Sequence, residues 1–232
     1  MKVIVFDTET IDTKELSAFD IGYVVTDNGI AIEQASFLIE ETYKGPLFKN
    51  AYYYEKNKER YEEYESTGQS LLVPLASARA DLNKAIVHHA VEIIAGFIIS
   101  FDIRALNYNF KKYLGETKEI TVESLGKNRV VIDIPVLFAL LYNGKEFKDW
   151  CKNNNCLTDK GNYKTTAEVI YRFISGNNEH EEEHTALQDS IEESAIFWHL
   201  VNKFDLTKEH AIMKEAAQLT LKGRKAWQIL KD

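Results

Sequence analysis

Five residues spread over nearly the whole chain have side chains suited to one reaction centre. They are Asp7 and Glu9 in Phe6-Asp-Thr-Glu-Thr10, Asp102 in Ser100-Phe-Asp102, and His184 and Asp189 in His184-Thr-Ala-Leu-Gln-Asp189. Carboxylates so far apart in sequence meet only in a folded domain. Packed together, they repel and resist ionising unless a cation compensates them. The set therefore predicts a divalent metal.

Each motif alone has an ordinary structural reading beside the chemical one. In a strand, residues two apart point to the same face, so Asp7 and Glu9 aim at one point while Thr8 faces the other way. Acidic residues also commonly end strands and turn into solvent. Asp102 follows an apolar run, where a carboxylate either serves the reaction or caps the next helix through a backbone N–H. The histidine motif carries more geometry. On a helix, positions five apart diverge by about 140° and cannot face one site, so His184 is expected before the helix. Thr185 and Gln188 have the spacing of a capping box, which starts the helix just after the histidine. Asp189 then sits in the first turn, and His184 on the adjoining loop is free to approach and withdraw.

The elements that must position these groups read as follows. Lys2-Val-Ile-Val-Phe6 is a short apolar run, as expected of a strand buried on both faces, and it ends in the first two acids. Asp20–Thr26 and Ile30–Ile39 flank the turn signal Asp27-Asn-Gly29, which completes a three-strand antiparallel meander. From Tyr43 to Gly68 the pattern dissolves into Tyr, Lys and Glu, read as a loop or an irregular helical excursion. Helical periodicity runs through Ala78–Ile94. A short strand, Phe97–Phe101, then leads into Asp102. A helix from Arg104 to Leu114 stops at Gly115, and a strand from Arg129 to Ile134 ends at Pro135. Further helices are expected at Pro135–Tyr142, Thr165–Ile174 and Ala186–Asn202. A meander followed by alternating helices and strands implies an α/β fold with a mixed sheet covered by helices.

Bulk properties bound the remaining choices. The 232 residues are 45% hydrophobic and 28% charged, ordinary for a globular protein. Residues 1–204 are read as the main domain, and 205–232 as a helical extension packed on or flanking it. The net charge of −8 does not advertise a polyanion-binding surface, so any nucleic-acid contact must be local. Two bound divalent ions would offset half of that excess and place positive charge where a phosphate needs it. Cys151 and Cys156 have no second pair to complete a zinc site and read as reduced, incidental thiols. No stretch approaches the ~18 apolar residues of a membrane span. An intracellular, soluble and therefore cytoplasmic protein without membrane contact is expected.

In the order and wording of its three motifs, the chain resembles the DEDDh subgroup of the DnaQ-like 3′-to-5′ exonucleases, which have a ribonuclease-H-like fold. Phe-Asp-Thr-Glu-Thr matches the first motif, Phe101-Asp102 the second, and His-Thr-Ala-Leu-Gln-Asp the third. The resemblance runs from Lys2 to about Asn202, and Asp20–Gly29 looks like small stand-alone exonucleases of phages and bacteria. It implies a five-stranded mixed sheet, with Asp7, Glu9, Asp102 and Asp189 binding two Mg²⁺ or Mn²⁺ ions around a scissile phosphate. Oxygen donors suit such hard cations. His184 would take the proton of the attacking water, and Thr8, Thr10 and Phe101 would contact the terminal nucleotide. The substrate implied is a 3′ end of single-stranded DNA or RNA, hydrolysed to nucleoside 5′-monophosphates. A polymerase or other replication or repair partner would be a separate chain. One departure bears on Asp102: many relatives carry Asn four residues before this acid, where this chain has Ile98, and a polar residue before that, where it has Phe97.

Two weaker signals and one competing function complete the reading. Tyr52–Tyr54 lies among Lys49, Lys56, Lys58 and Arg60, either a stacking surface for a single strand or, with Glu55, Glu59, Glu62, Glu63 and Glu65 interspersed, a solvated helix face with tyrosines packed beneath. The tail is rich in Lys and Arg and either guides substrate or forms an amphipathic helix that covers the core with Ile212, Ala216, Leu219 and Trp227. Asp133 reads as a supporting residue or a helix cap, and His88, His89 and His180 as structural or surface residues. The competing function is a catalytically idle nucleic-acid-binding or assembly subunit on the same fold.

Overall fold

A computed structural model of the protein describes residues 1–46, 48–51, 54–142 and 144–230. Its strands are β1 (Lys2–Thr10), β2 (Ala18–Asp27), β3 (Ile30–Ile39), β4 (Leu71–Val73), β5 (Ile93–Gly96) and β6 (Val130–Asp133). The helices are α1 (Glu40–Tyr43), α2 (Tyr54–Thr67), α3 (Leu75–His88), α4 (Ile99–Leu114), α5 (Val122–Leu125), α6 (Ile134–Leu141), α7 (Gly144–Asn153), α8 (Ala167–Ser175), α9 (Ala186–Lys203), α10 (Ala211–Leu221) and α11 (Ala226–Ile229).

The strands form one mixed sheet in the order β4-β3-β2-β1-β5-β6. The β1–β2–β3 meander is antiparallel, as expected, and turns on Asn28 and Gly29, both with positive φ. Beyond it, β5 and β6 run parallel to β1. The expected five strands are joined by a sixth, β4, which pairs in parallel with Phe37–Ile39. Its three residues carry no periodicity long enough to identify them in sequence.

Alternation along β1 divides the core. Val3 and Val5 pack with α6, α9 and α10 on one face, and Ile4 and Phe6 with α3 and α4 on the other. The central strand thus reads as a continuous apolar run because both faces are covered.

Two boundaries differ from expectation. The apolar run after α3 is not helical: α3 ends at His88, Ala90 takes positive φ, and Ile93–Gly96 becomes β5. Phe97–Phe101 is not a strand, because α4 begins at Ile99 and contains Ser100, Phe101 and Asp102. Short apolar segments fit either period, and here pairing with β1 and β6 decided which one became the strand.

The Tyr/Lys/Glu-rich segment is more regular than expected. Fourteen of its residues form α2, and Phe48, Ala51 and Tyr61 pack against Ile11, Phe19 and Leu38. Tyr52 and Tyr53 lie outside the described residues. In the tail, Met213, Ala216, Ala226 and Leu230 are buried against the α6–α9 side of the core. Trp227 does not cover the core but is 63% exposed, because Ala226 and Leu230, four apart, take the inward face of that turn. Among the described residues, no helix is long and apolar enough to cross a membrane. The Cys151 and Cys156 thiols are buried and not bonded to each other.

Candidate active site

The alternation that buries Val3 and Val5 toward α9 continues past the apolar run, so Asp7 and Glu9 face α9 and Thr8 faces α4. The first turn of α9 is seated directly on β2. At Gly22 a Cβ would lie 2.1 Å from the Leu187 nitrogen, so only glycine permits the approach. There the Ser190 hydroxyl donates to the Gly22 carbonyl at 3.1 Å, and the Ala186 N–H donates to Asp20 Oδ2 at 2.9 Å.

The helix starts where the sequence places it, with Thr185 as its extended N-cap, but the capping box is not formed. The Thr185 side chain makes no cap bond, and its buried hydroxyl has no partner. Asp20, reaching across from β2, takes the first free N–H instead. Asp189 lies in the first turn as expected. His184 precedes the helix in the left-handed region, at φ 54°. Its main chain is held, since its carbonyl accepts from Asn57 Nδ2 at 2.9 Å and from Tyr61 Oη at 3.2 Å. One ligand atom from each of Glu9, His184 and Asp189 lies within 4.8 Å of the others.

Asp102 comes to the same place from the opposite face. It sits in the first turn of α4, nearly fully buried, and Ile98 rather than Asp102 occupies the N-cap. Asp102 is therefore not the N-cap of α4. Asp102 Oδ1 accepts the Thr8 N–H at 3.1 Å and the Thr8 hydroxyl at 2.9 Å. Both Thr8 donors are thus directed at Asp102. Thr10 and Phe101 are part-buried near the same end of β1. The Thr10 hydroxyl donates to the Asp12 carbonyl, and the Arg104 guanidinium carbon lies 5.7 Å from the Phe101 ring centroid.

The segment Phe97–Ile98 is held by its backbone. Ile98 is left-handed at φ 60° and 39% exposed. Its N–H donates to Asp133 Oδ1 at 2.7 Å, and the Phe97 N–H donates to Glu193 Oε2 at 3.1 Å. Asp133 thus ends β6 and satisfies the start of α4, making no side-chain cap on α6, whose N-cap position it occupies.

Charge and burial together make the cluster resist ionisation. Burial, then the Asp20 charge, push Asp7 up to about 7. Burial, then Asp7, Glu182 and Glu192, push Asp189 up to about 9. Glu9 is held well above the usual carboxylate range by burial and then by Asp7, Asp189, Asp20 and Asp102. Asp102 is raised likewise by burial and by Asp7. These effects connect Asp7 with Glu9, Asp102 and Asp189, and Glu9 with Asp102 and Asp189.

Three further acids belong to this neighbourhood and escape the motif reading. Glu193 is raised by burial and by Asp7, Asp102 and Asp189, and its signal was its position four residues after Asp189, on the same helix face. Asp20 is fully buried and pairs in register with Glu9, its only sequence signal being an acid inside the apolar β2 run. Glu182 Oε2 lies 3.8 Å from His184 Nδ1 and is raised to about 7 by burial and then by Glu192.

The donor set fits a divalent cation. Its oxygens are hard, their charges oppose one another, and Asp189 Oδ1 is buried without a hydrogen-bond partner. A cleft of about 540 Å³ among Met1, Glu92, Trp198 and Lys208 lies at the opposite end of β1 and contains none of these residues.

No protein-family model matches the chain, and no curated protein matches it. Among solved structures it is similar to exonuclease X in complex with 5′ overhanging duplex DNA, at 14% sequence identity, covering 94% of this chain and 99% of that chain with a TM-score of 0.49.

Proposed function

We propose that this chain is a metal-dependent 3′-to-5′ exonuclease of the DEDDh type, acting on the 3′ end of single-stranded DNA or RNA. The observation that carries this reading is the convergence of Glu9, His184 and Asp189 within 4.8 Å, with Asp7 near enough to raise the pKa of Glu9, Asp102 and Asp189. In this reading Asp7, Glu9, Asp102 and Asp189 hold two Mg²⁺ or Mn²⁺ ions. Bound there, such ions supply Lewis-acid charge to a phosphodiester and a water acidic enough to attack it.

The protein's own groups provide the rest. His184 accepts the water's proton, for which an imidazole with an unperturbed pKa of ~6.5 is suited near neutral pH. Glu182, with Oε2 3.8 Å from Nδ1, places a carboxyl group beside the ring. Thr8 steadies Asp102, and Asp20 and Gly22 seat the helix that bears Asp189. Thr10 and Phe101 border the cluster and would meet the terminal nucleotide.

The test is digestion of 5′-labelled single-stranded DNA and RNA with Mg²⁺ or Mn²⁺, beside Asp7→Ala and His184→Ala controls. A ladder shrinking from the 3′ end is expected. Cleavage that survives chelation, or that persists in Asp7→Ala, overturns the metal mechanism. Binding without cleavage by the intact protein would instead favour the idle subunit.

A further inference from the structure

The α2 helix lies outside every motif, yet one of its faces is directed at the histidine loop. Asn57, Arg60, Tyr61 and Tyr64 follow helical spacing and share that face. Asn57 Nδ2 and Tyr61 Oη both donate to the His184 carbonyl. The Arg60 guanidinium donates to the Glu183 carbonyl, and Tyr64 Oη donates to Glu183 Oε2 at 3.3 Å. Two consecutive carbonyls ahead of α9 are thus taken by side chains one turn apart.

We propose that α2 is a positioning element for the histidine, with Asn57 and Tyr61 fixing the His184 peptide so that its imidazole meets Glu9 and Asp189. The proposal rests on the reading of His184 as the base. A left-handed residue other than glycine persists only where its surroundings over-determine it. Two buried donors on the carbonyl of His184 do this. Tyr61 does more, because its hydroxyl also donates to Asp20 Oδ2 at 3.1 Å, the same oxygen that takes the Ala186 N–H. One phenol therefore ties the peptide of the base to the start of the helix that carries Asp189. Asn57 and Tyr61 lie 127 and 123 positions before His184, so their hold on its carbonyl arises from the packing of α2 against that loop.

Tyr61→Phe is the principal variant because it keeps the ring, which packs edge-on against Phe19 at 5.5 Å. Asn57→Ala is the second. The first readout is the position of the histidine ring resonances at one fixed pH in ¹⁵N-labelled, metal-free protein, with the His184 signals assigned by their loss in His184→Gln. The His184 ring resonances are expected to shift in both variants. The second readout is cleavage. In each variant kcat should fall about 10- to 100-fold with KM little changed, as for a misplaced catalytic group. The same substitutions made in His184→Ala should add no further loss. Folded variants whose His184 ring resonances coincide with those of the parent overturn the proposal, as does an equal loss of activity with and without His184. If the intact protein cuts neither DNA nor RNA, the exonuclease reading fails and the His184 resonance positions alone decide the role of α2.

Discussion

Thr8 directs both its backbone N–H and its hydroxyl at one oxygen of Asp102, 94 residues away. It does so from the face of β1 opposite to Asp7 and Glu9. The strand therefore contributes to the site from both sides, with two carboxylates toward α9 and one threonine that secures a third carboxylate on α4.

Replacing Thr8 by Val keeps the shape and the N–H but removes the hydroxyl. A loss of about 1–2 kcal/mol in stability is expected from the unmade bond to a buried carboxyl group. Thr8→Ser should stay close to the parent. Urea denaturation midpoints compare the two, and equal midpoints for Val and Ser would show that the hydroxyl does not hold Asp102.

Removing one charge from the cluster should stabilise the metal-free protein. Asp189 is raised to about 9, so its neutral form is favoured by the fold. Its contribution is complete below the unfolded pKa near 4 and is lost as pH rises through about 9. Asp189→Asn stays neutral and should melt higher than the parent, by an amount that grows between pH 5 and pH 9. Taking about 2 kcal/mol at the upper end, the rise is ~4–8 °C for a chain of this size. Mg²⁺ or Mn²⁺ should raise the melting temperature of the parent most at high pH and that of the variant least. A variant that melts below the metal-free parent at pH 9 would contradict the mutual repulsion.

His184 lies close enough to Glu9 and Asp189 to be tested as a ligand as well as a base. As a base, its replacement by Ala should cost about 10²–10⁴-fold in turnover while leaving metal affinity nearly intact. Isothermal titration with Mn²⁺ separates the two roles. A tenfold or greater loss of affinity in His184→Ala would make the imidazole a ligand.

At Gly22 even a methyl group meets backbone, the Leu187 nitrogen at 2.1 Å and the Ala186 carbonyl carbon at 2.3 Å. Gly22→Ala must push α9 off β2, with an overpacking penalty of about 1–3 kcal/mol or more. Because the displaced turn carries Asp189, Mn²⁺ affinity should fall together with the denaturation midpoint. Unchanged Mn²⁺ binding would mean that the seat on β2 does not set the position of Asp189.

Local pattern made much of the fold legible. The apolar run of β1, the Asp27-Asn-Gly29 turn and the placement of His184 just before a helix all follow from periods and dihedral preferences confined to a few residues. Reading failed where a short apolar segment fitted two periods. Periodicity carries the α3 helix on through Val91–Ile94, which in the structure leads into β5, and places a strand at Phe97–Phe101, where α4 begins. Pairing partners on both sides of β5 decided the matter.

The sequence by itself determined which side chains have metal-binding chemistry, the mixed α/β class, and the order in which the elements appear, because residue type and periodicity are local properties. Only the tertiary structure decided that Asp102 belongs to a helix and is held by Thr8. It alone brought Glu193, Asp20 and Glu182 into the cluster, and set α2 against the His184 peptide. Those relations depend on which surfaces come into contact across the sheet. Contacts between residues such as Asn57 and His184, 127 positions apart, arise from packing that no single stretch of sequence contains.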